Sequence, residues 1–339
     1  MLFVAVRILL RRALMTAPVV LAVSVLVFVI LRLLPADPVS LSLPPGSTAA
    51  DFERLRADLG LDRSLPVQYA VWLGRLATGD LGASIFFRKP VAELVGIALP
   101  HTIELVALGA IGGVVLGVGG GLALHAARGT PAEGALDLGS TAAMSVPEFL
   151  WALLLILALG VAWPLLPFVG RLAPEIATPP AVTGFLLLDS LLSGRWDALR
   201  SALSHLALPA LALAIGLAPL VMRVLRASLA DAALEDYVAQ GRARGLSERR
   251  LLVRHALPNA ALPTLSLIGV QAGFMFGGTL LVEVIFGYPG LGSLMVDAVR
   301  NHDLPVIQAV ALIYCLLVLV LNAAVEVATA IVNPRLRAP

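Results

Sequence analysis

The chain alternates long apolar runs with shorter polar breaks. Residues 13–34, 99–124, 138–161, 206–227, 262–286 and 304–332 are the runs. A helix rises 1.5 Å per residue, so about 20 apolar residues cross about 30 Å of hydrocarbon, and each run is long enough. The pattern predicts six transmembrane helices. Residues 35–96 are polar with nearly balanced charge and read as a folded extracytoplasmic cap, in which 51–59 and 67–76 have the spacing of short amphipathic helices. After the third run, 183–192 and 196–206 show helical periodicity without the length of a span, which predicts helices lying on the membrane surface. The longest polar break of the second half, residues 236–259, reads DYVAQGRARGLSERRLLVRHALPN. It predicts two short helices at a corner. Gly245 supplies a left-handed helix end, Ser247 a cap, Glu248 a first-turn carboxylate, and Pro258 the limit of the second helix.

Composition agrees with a bilayer. Over 339 residues the chain is 59% hydrophobic and 14% charged, whereas an ordinary soluble domain is about 25% charged. A formal net charge of +2 is too small to suggest a nucleic-acid partner. Arg7, Arg11 and Arg12 precede a first run that is too long for a cleaved signal, so it reads as a signal anchor. With six spans, those arginines, Arg128, Arg223, Arg226, the corner's Arg242, Arg244, Arg249, Arg250 and Arg254, and Arg335 and Arg337 fall on one side. The shorter opposite loops hold only Arg171, Arg195, Arg200 and Arg300. Positive charge collects inside, which predicts that both termini and the corner are cytoplasmic.

Candidate chemistry is sparse. The sequence has no phosphate-binding Gly-rich loop ending in Lys-Ser or Lys-Thr, no His-Glu-x-x-His and no Gly-x-Ser-x-Gly. The five histidines, at 101, 125, 205, 255 and 302, are dispersed and predict no metal site, and the lone Cys315 excludes an intrachain disulfide. Glycines crowd the second run at 109, 112, 113, 117, 119, 120 and 121. No strand precedes them, so they predict close approach of a neighbouring helix rather than a nucleotide loop. The ionisable groups Glu104, Glu148, Glu283 and Glu326, with Gln271 and Asn322, lie within apolar runs and must face protein or water. Gln271 and Glu283 are the candidates for lining a translocation path, because their span follows the corner directly.

The corner itself has three readings: a topological anchor, a DNA-reading helix-turn-helix, and a docking surface for a soluble partner. Tethering between two spans removes the second. Gly245, followed downstream by Leu257-Pro258, resembles the cytoplasmic motif of permeases in bacterial ABC importers. The stretch 237–250 resembles the dipeptide, oligopeptide and nickel branch, although Ala239-Gln240-Gly241 stands where other importers carry Glu-Ala-Ala. SVPEF at 145–149, FGYPGLG at 286–292, and LGLDRSLPVQYAVWL and GDLGASIFFRKPV in the cap are similar to further patches of that branch.

The resemblance implies an all-α integral membrane protein with the type I importer permease fold: six transmembrane helices and a cytoplasmic coupling helix, with residues 97–339 as the permease domain. It implies a multi-pass subunit of the bacterial inner membrane that acts with a second, non-identical permease, two ATP-binding subunits and an extracytoplasmic solute-binding protein. ATP and Mg would sit on those partners, and this chain would hold no cofactor or catalytic residue. The cargo would be di- or oligopeptides, or nickel or another small solute. Coupling to the ATPases would fall to Ala239, Gly241, Arg242, Arg244, Gly245, Leu246, Ser247, Glu248, Arg249 and Arg250. Gly241, where Ala is more usual, is expected to loosen the first corner helix by about 1 kcal/mol. A secondary transporter or channel is the competing class, but the internal repeat expected of such a carrier is not evident in the sequence. A membrane enzyme comes third.

Overall fold

A computed structural model describes residues 2–33 and 62–332, with isolated positions at 48, 50, 53, 54 and 57. The helix expected over 51–59 therefore lies almost wholly outside the described residues. The elements are α1 (Leu2–Leu33), α2 (Leu65–Ala77), α3 (Val91–Ala126), α4 (Pro131–Ser145), α5 (Glu148–Ala162), α6 (Leu186–Leu192), α7 (Trp196–Leu234), α8 (Asp236–Ala243), α9 (Glu248–Ile285), α10 (Leu291–Arg300) and α11 (Leu304–Val332). The described residues contain no β-strand, only an isolated bridge between Ala83 and Pro90. Helices α1, α3, α7, α9 and α11 are long and apolar enough to cross a membrane, and α4 with α5 makes a sixth crossing if that bent pair counts as one.

The centre of the protein is the pairing of α3 with α7. Gly109, Gly113, Gly117 and Gly121 form one stripe on α3, and Leu213, Leu217, Val221 and Leu225 of α7 fill it. A Cβ on Gly117 would meet Val221 Cβ at 2.5 Å and the Ala218 carbonyl at 2.8 Å. The glycines therefore let two backbones approach, as their spacing predicted. Met275, Phe276 and Val282 of α9 close the same core, together with Ala152 of α5. Helix α1 packs on α11 and on the cap helix α2, where Phe28, Tyr69 and Trp72 stack with ring centroids 5.4 to 5.9 Å apart.

Four expectations change. The third run is not one straight helix: α4 and α5 meet at 103°. Pro147 disfavours helical backbone at the residue before it, and Val146 is extended at φ −104°, ψ 124°. The surface helix expected at 196–206 is instead the first part of the 39-residue α7, because Ala198, Ala202 and Leu206 already face the core. Pro258 does not limit the second corner helix. The turns at Leu252–Ala256 widen to π-helical geometry where the proline ring would meet the carbonyl of Arg254, and the helix continues to Ile285. Finally, α10 follows the Pro289–Gly290 turn, where only a return loop was expected. The second and fifth spans also begin earlier than expected, at Val91 and Glu248, while the sixth matches 304–332.

Candidate functional site: the basic elbow and the buried carboxylates

The elbow is formed by α8, the turn at 244–247 and the start of α9. Gly245 has φ +77°, a conformation that costs L-residues energy. Its amide donates to the Arg242 carbonyl at 2.9 Å, and the Leu246 amide donates to the Gly241 carbonyl at 3.1 Å. This pair of bonds is a Schellman motif, and it satisfies carbonyls that a helix end leaves free. Ser247 occupies the N-cap position of α9 but makes no side-chain cap bond, so its expected capping role is absent.

Two side-chain contacts then lock the corner. Leu251 is 2% exposed and lies over Gly241, where a Cβ would overlap its Cδ2; Leu246 lies alongside. Gly241 thus does more than loosen α8, because its missing side chain is the space that Leu251 fills. On the outer surface Arg242 grips Glu248 through two bonds, Nε to Oε1 at 2.6 Å and Nη2 to Oε2 at 3.1 Å. The bond and then the charge of Glu248 raise the Arg242 pKa further, so this group stays cationic. Ala239, Arg244, Arg249, Arg250 and Arg254 are exposed, as are Leu234 and Val253. Val238 is buried, and Asn259 Nδ2 donates to the Tyr237 hydroxyl at 3.2 Å, tying α8 to α9. Leu251, Val238 and Asn259 were not singled out by the sequence, since each acts through a contact across the turn. Beside the elbow, His125, Arg128, Asp137, Arg223 and Arg226 line a pocket of about 500 Å³, with Arg226 paired to Glu133 and Asp137.

At the opposite end the carboxylates are partnered. Glu283 is fully buried and accepts from Thr102 Oγ1 at 2.7 Å and from the amides of Gly292 and Ser293 at 2.7 and 3.1 Å. It caps α10 from the neighbouring helix, with Thr102 Oγ1 accepting from the Leu291 amide at 2.8 Å. In this geometry Glu283 serves as a structural cap. Glu104 pairs with Arg171 at 2.8 Å and accepts from the Leu187 amide at 2.7 Å, fixing the loop before α6 to α3. Gln271 is half-buried on α9, well apart from Glu283. Among the described residues no cluster of His, Cys, Asp and Glu could hold a metal ion.

The sequence profile of the family described as "Binding-protein-dependent transport system inner membrane component" matches residues 113–338, and the profile of its N-terminal part matches residues 5–105. The chain belongs to this family. A di/tripeptide transport system permease protein of Pseudomonas aeruginosa is 34% identical over 96% of this chain and 97% of its own length. A dipeptide transport system permease protein of Escherichia coli K12 is 32% identical over 97% of this chain and 98% of its own. The fold is also that of the MetNI methionine ABC transporter in an inward-facing form. That match has a TM-score of 0.53 at 15% identity and covers 71% of this chain and 96% of the other. The inner membrane component described here is therefore a multi-pass permease subunit of an ABC importer, all-α and of the type I permease fold. It is a transport subunit rather than an enzyme.

Proposed function

We propose that this permease carries short peptides and that its elbow, on the cytoplasmic side with both termini, is the handle by which partner ATPases move it. The working assembly is a second permease, two ATP-binding subunits holding ATP and Mg, and an extracytoplasmic binding protein that delivers the cargo. The peptide reading is supported by the two relatives named for peptide transport.

The observation that carries the coupling reading is the stiffness of the corner. A left-handed Gly245, an interlocked Gly241 and Leu251 and the Arg242–Glu248 clasp fix α8 against α9. Helix α9 then runs unbroken from Glu248 to Ile285. A push on the exposed arginines reaches the opposite end of the span as a rigid displacement, whereas a flexible loop would absorb it. Burial of Leu251 contributes about 1.5–3 kcal/mol to that stiffness.

The test is uptake and ATPase capture by the full complex in proteoliposomes. Arg249→Glu with Arg250→Glu reverses two exposed charges without touching the corner's packing, and it abolishes ATPase capture and peptide uptake while membrane insertion persists. Gly245→Pro removes the donor to Arg242 and the left-handed turn and has the same effect. Survival of both capture and uptake in these variants would refute the docking role. Uptake of a nickel chelate in place of peptides would refute the cargo.

A further inference from the structure

Of the four glutamates within the apolar runs, Glu148 is the one that has no donor among the described residues. It begins α5, immediately after the 103° break at Val146 and Pro147, and the Trp151 indole donates to the Ala143 carbonyl at 3.1 Å across that break. Its carboxylate projects towards two other helices at positions where neither has a side chain. A Cβ on Gly216 of α7 would overlap Oε1, and a Cβ on Gly278 of α9 would overlap Oε2. Among the described residues no group donates a hydrogen bond to it and no cation pairs with it. Glu104 and Glu283, by contrast, are both saturated with donors.

An ionised carboxylate in a membrane-spanning region is costly unless something answers its charge. Two glycines clear room for this one at the junction of three helices, and it remains half-buried rather than sealed. Gln271 lies seven residues before Gly278, close to two whole turns, so it shares that face of α9 about 10 Å nearer the elbow. The Glu148 carboxylate of α5 therefore lies against the Gly278 end of a face of α9 that carries the Gln271 amide further along. A short peptide carries an α-ammonium at one end, and an ammonium is the charge that an unanswered carboxylate attracts.

We propose that Glu148 is the counter-charge for the α-ammonium group of a peptide passing the bend, an inference that rests on the peptide reading of the cargo. The experiment compares import of dialanine and N-acetyl-dialanine by the full reconstituted complex, each at a concentration that saturates the binding protein. The native complex is expected to favour the free amine by about tenfold, and Glu148→Gln to reduce that preference to about threefold or less. An unchanged preference in Glu148→Gln, or none in the native complex, overturns the role of Glu148 while peptide import stands. Import of neither compound by the native complex defeats the peptide reading and this inference with it.

A second measurement covers a variant that fails to assemble. In a Cys315→Ala background, Glu148→Cys is labelled with a methanethiosulfonate carrying an ammonium group. Turnover with dialanine-loaded binding protein and ATP is expected to slow labelling by about threefold. Unprotected labelling overturns the proposal, and loss of the second permease from Glu148→Gln in the same preparation assigns the carboxylate to the subunit interface instead.

Discussion

Gly241 and Leu251 occupy one volume: the side chain that residue 241 lacks would overlap Leu251 Cδ2, and Leu251 is only 2% exposed. The two residues belong to successive helices, so the missing methyl sets how closely the elbow shuts. Intrinsic propensity favours Gly241→Ala by about 1 kcal/mol. Overpacking typically costs about 1–3 kcal/mol, and a buried Leu251 has no open side to turn towards. Packing wins, and Gly241→Ala is expected to loosen the corner, seen as faster amide hydrogen exchange over 246–251. Combining it with Leu251→Ala should cost less than the sum of the single changes. Slower exchange in the single variant would show that propensity governs the position.

The glycine stripe of α3 gives a paired prediction. Gly117→Ala would place a methyl against Val221 and the Ala218 carbonyl, and a backbone atom gives way at greater cost than a side-chain tip. Gly119 on the same helix has nothing within 4 Å of its absent Cβ. Gly117→Ala is therefore expected to destabilise the detergent-solubilised protein by about 1–3 kcal/mol, while Gly119→Ala is neutral or gains up to about 1 kcal/mol from propensity. Thermal melts of the two variants check the pair. Equal melting temperatures would deny that the stripe is a packing groove.

What the sequence made legible was whatever depends on local order: the apolar runs, the left-handed Gly245 and the purpose of the α3 glycines. What it concealed depends on distant partners. Glu283 reads as a lone carboxylate in an apolar run, hence as a candidate path residue. Its donor Thr102 is 181 positions away, and only the fold brings them together. The continuity of α9 was hidden for another reason, since Pro258 is a proper stop signal that a π-helical stretch overrides. At Gly241 the sequence offers only propensity, and the contact with Leu251 reverses its meaning.

Asp303 pins the cap to the membrane helices. It is fully buried just before α11 and accepts from Ser84 Oγ at 2.5 Å and from the Ile85 and Phe86 amides at 3.2 and 3.1 Å. Asp303→Ala leaves those donors without an acceptor, at about 1–3 kcal/mol for each that stays buried. The turn at 84–90 is expected to detach while the spans remain folded. Trypsin cleavage after Arg88 should then accelerate, with little change in the far-ultraviolet helix signal. Unaltered cleavage would mean that other contacts hold the cap.

Asp189 makes the clasp around α6 sensitive to acid. Burial alone would raise its pKa, but the Thr183 amide and hydroxyl and the Gly184 amide all donate to the carboxylate and bring it below the ordinary aspartate value. A depressed folded pKa contributes stability that is complete above the unfolded value of about 3.9 and is lost as pH falls through the folded one. The loop at 182–189 should accordingly keep its amide protection from pH 7 down to about 4, and lose it only in stronger acid. Asp189→Asn keeps one acceptor oxygen and cannot titrate, so its protection is expected to be weaker at neutral pH and flat as acid is added. Hydrogen exchange at Thr183 and Gly184, corrected for the intrinsic pH dependence of exchange, separates the two profiles. A native loop that opened already at pH 5 to 6 would place the responsible titration on a different group and remove Asp189 from the account.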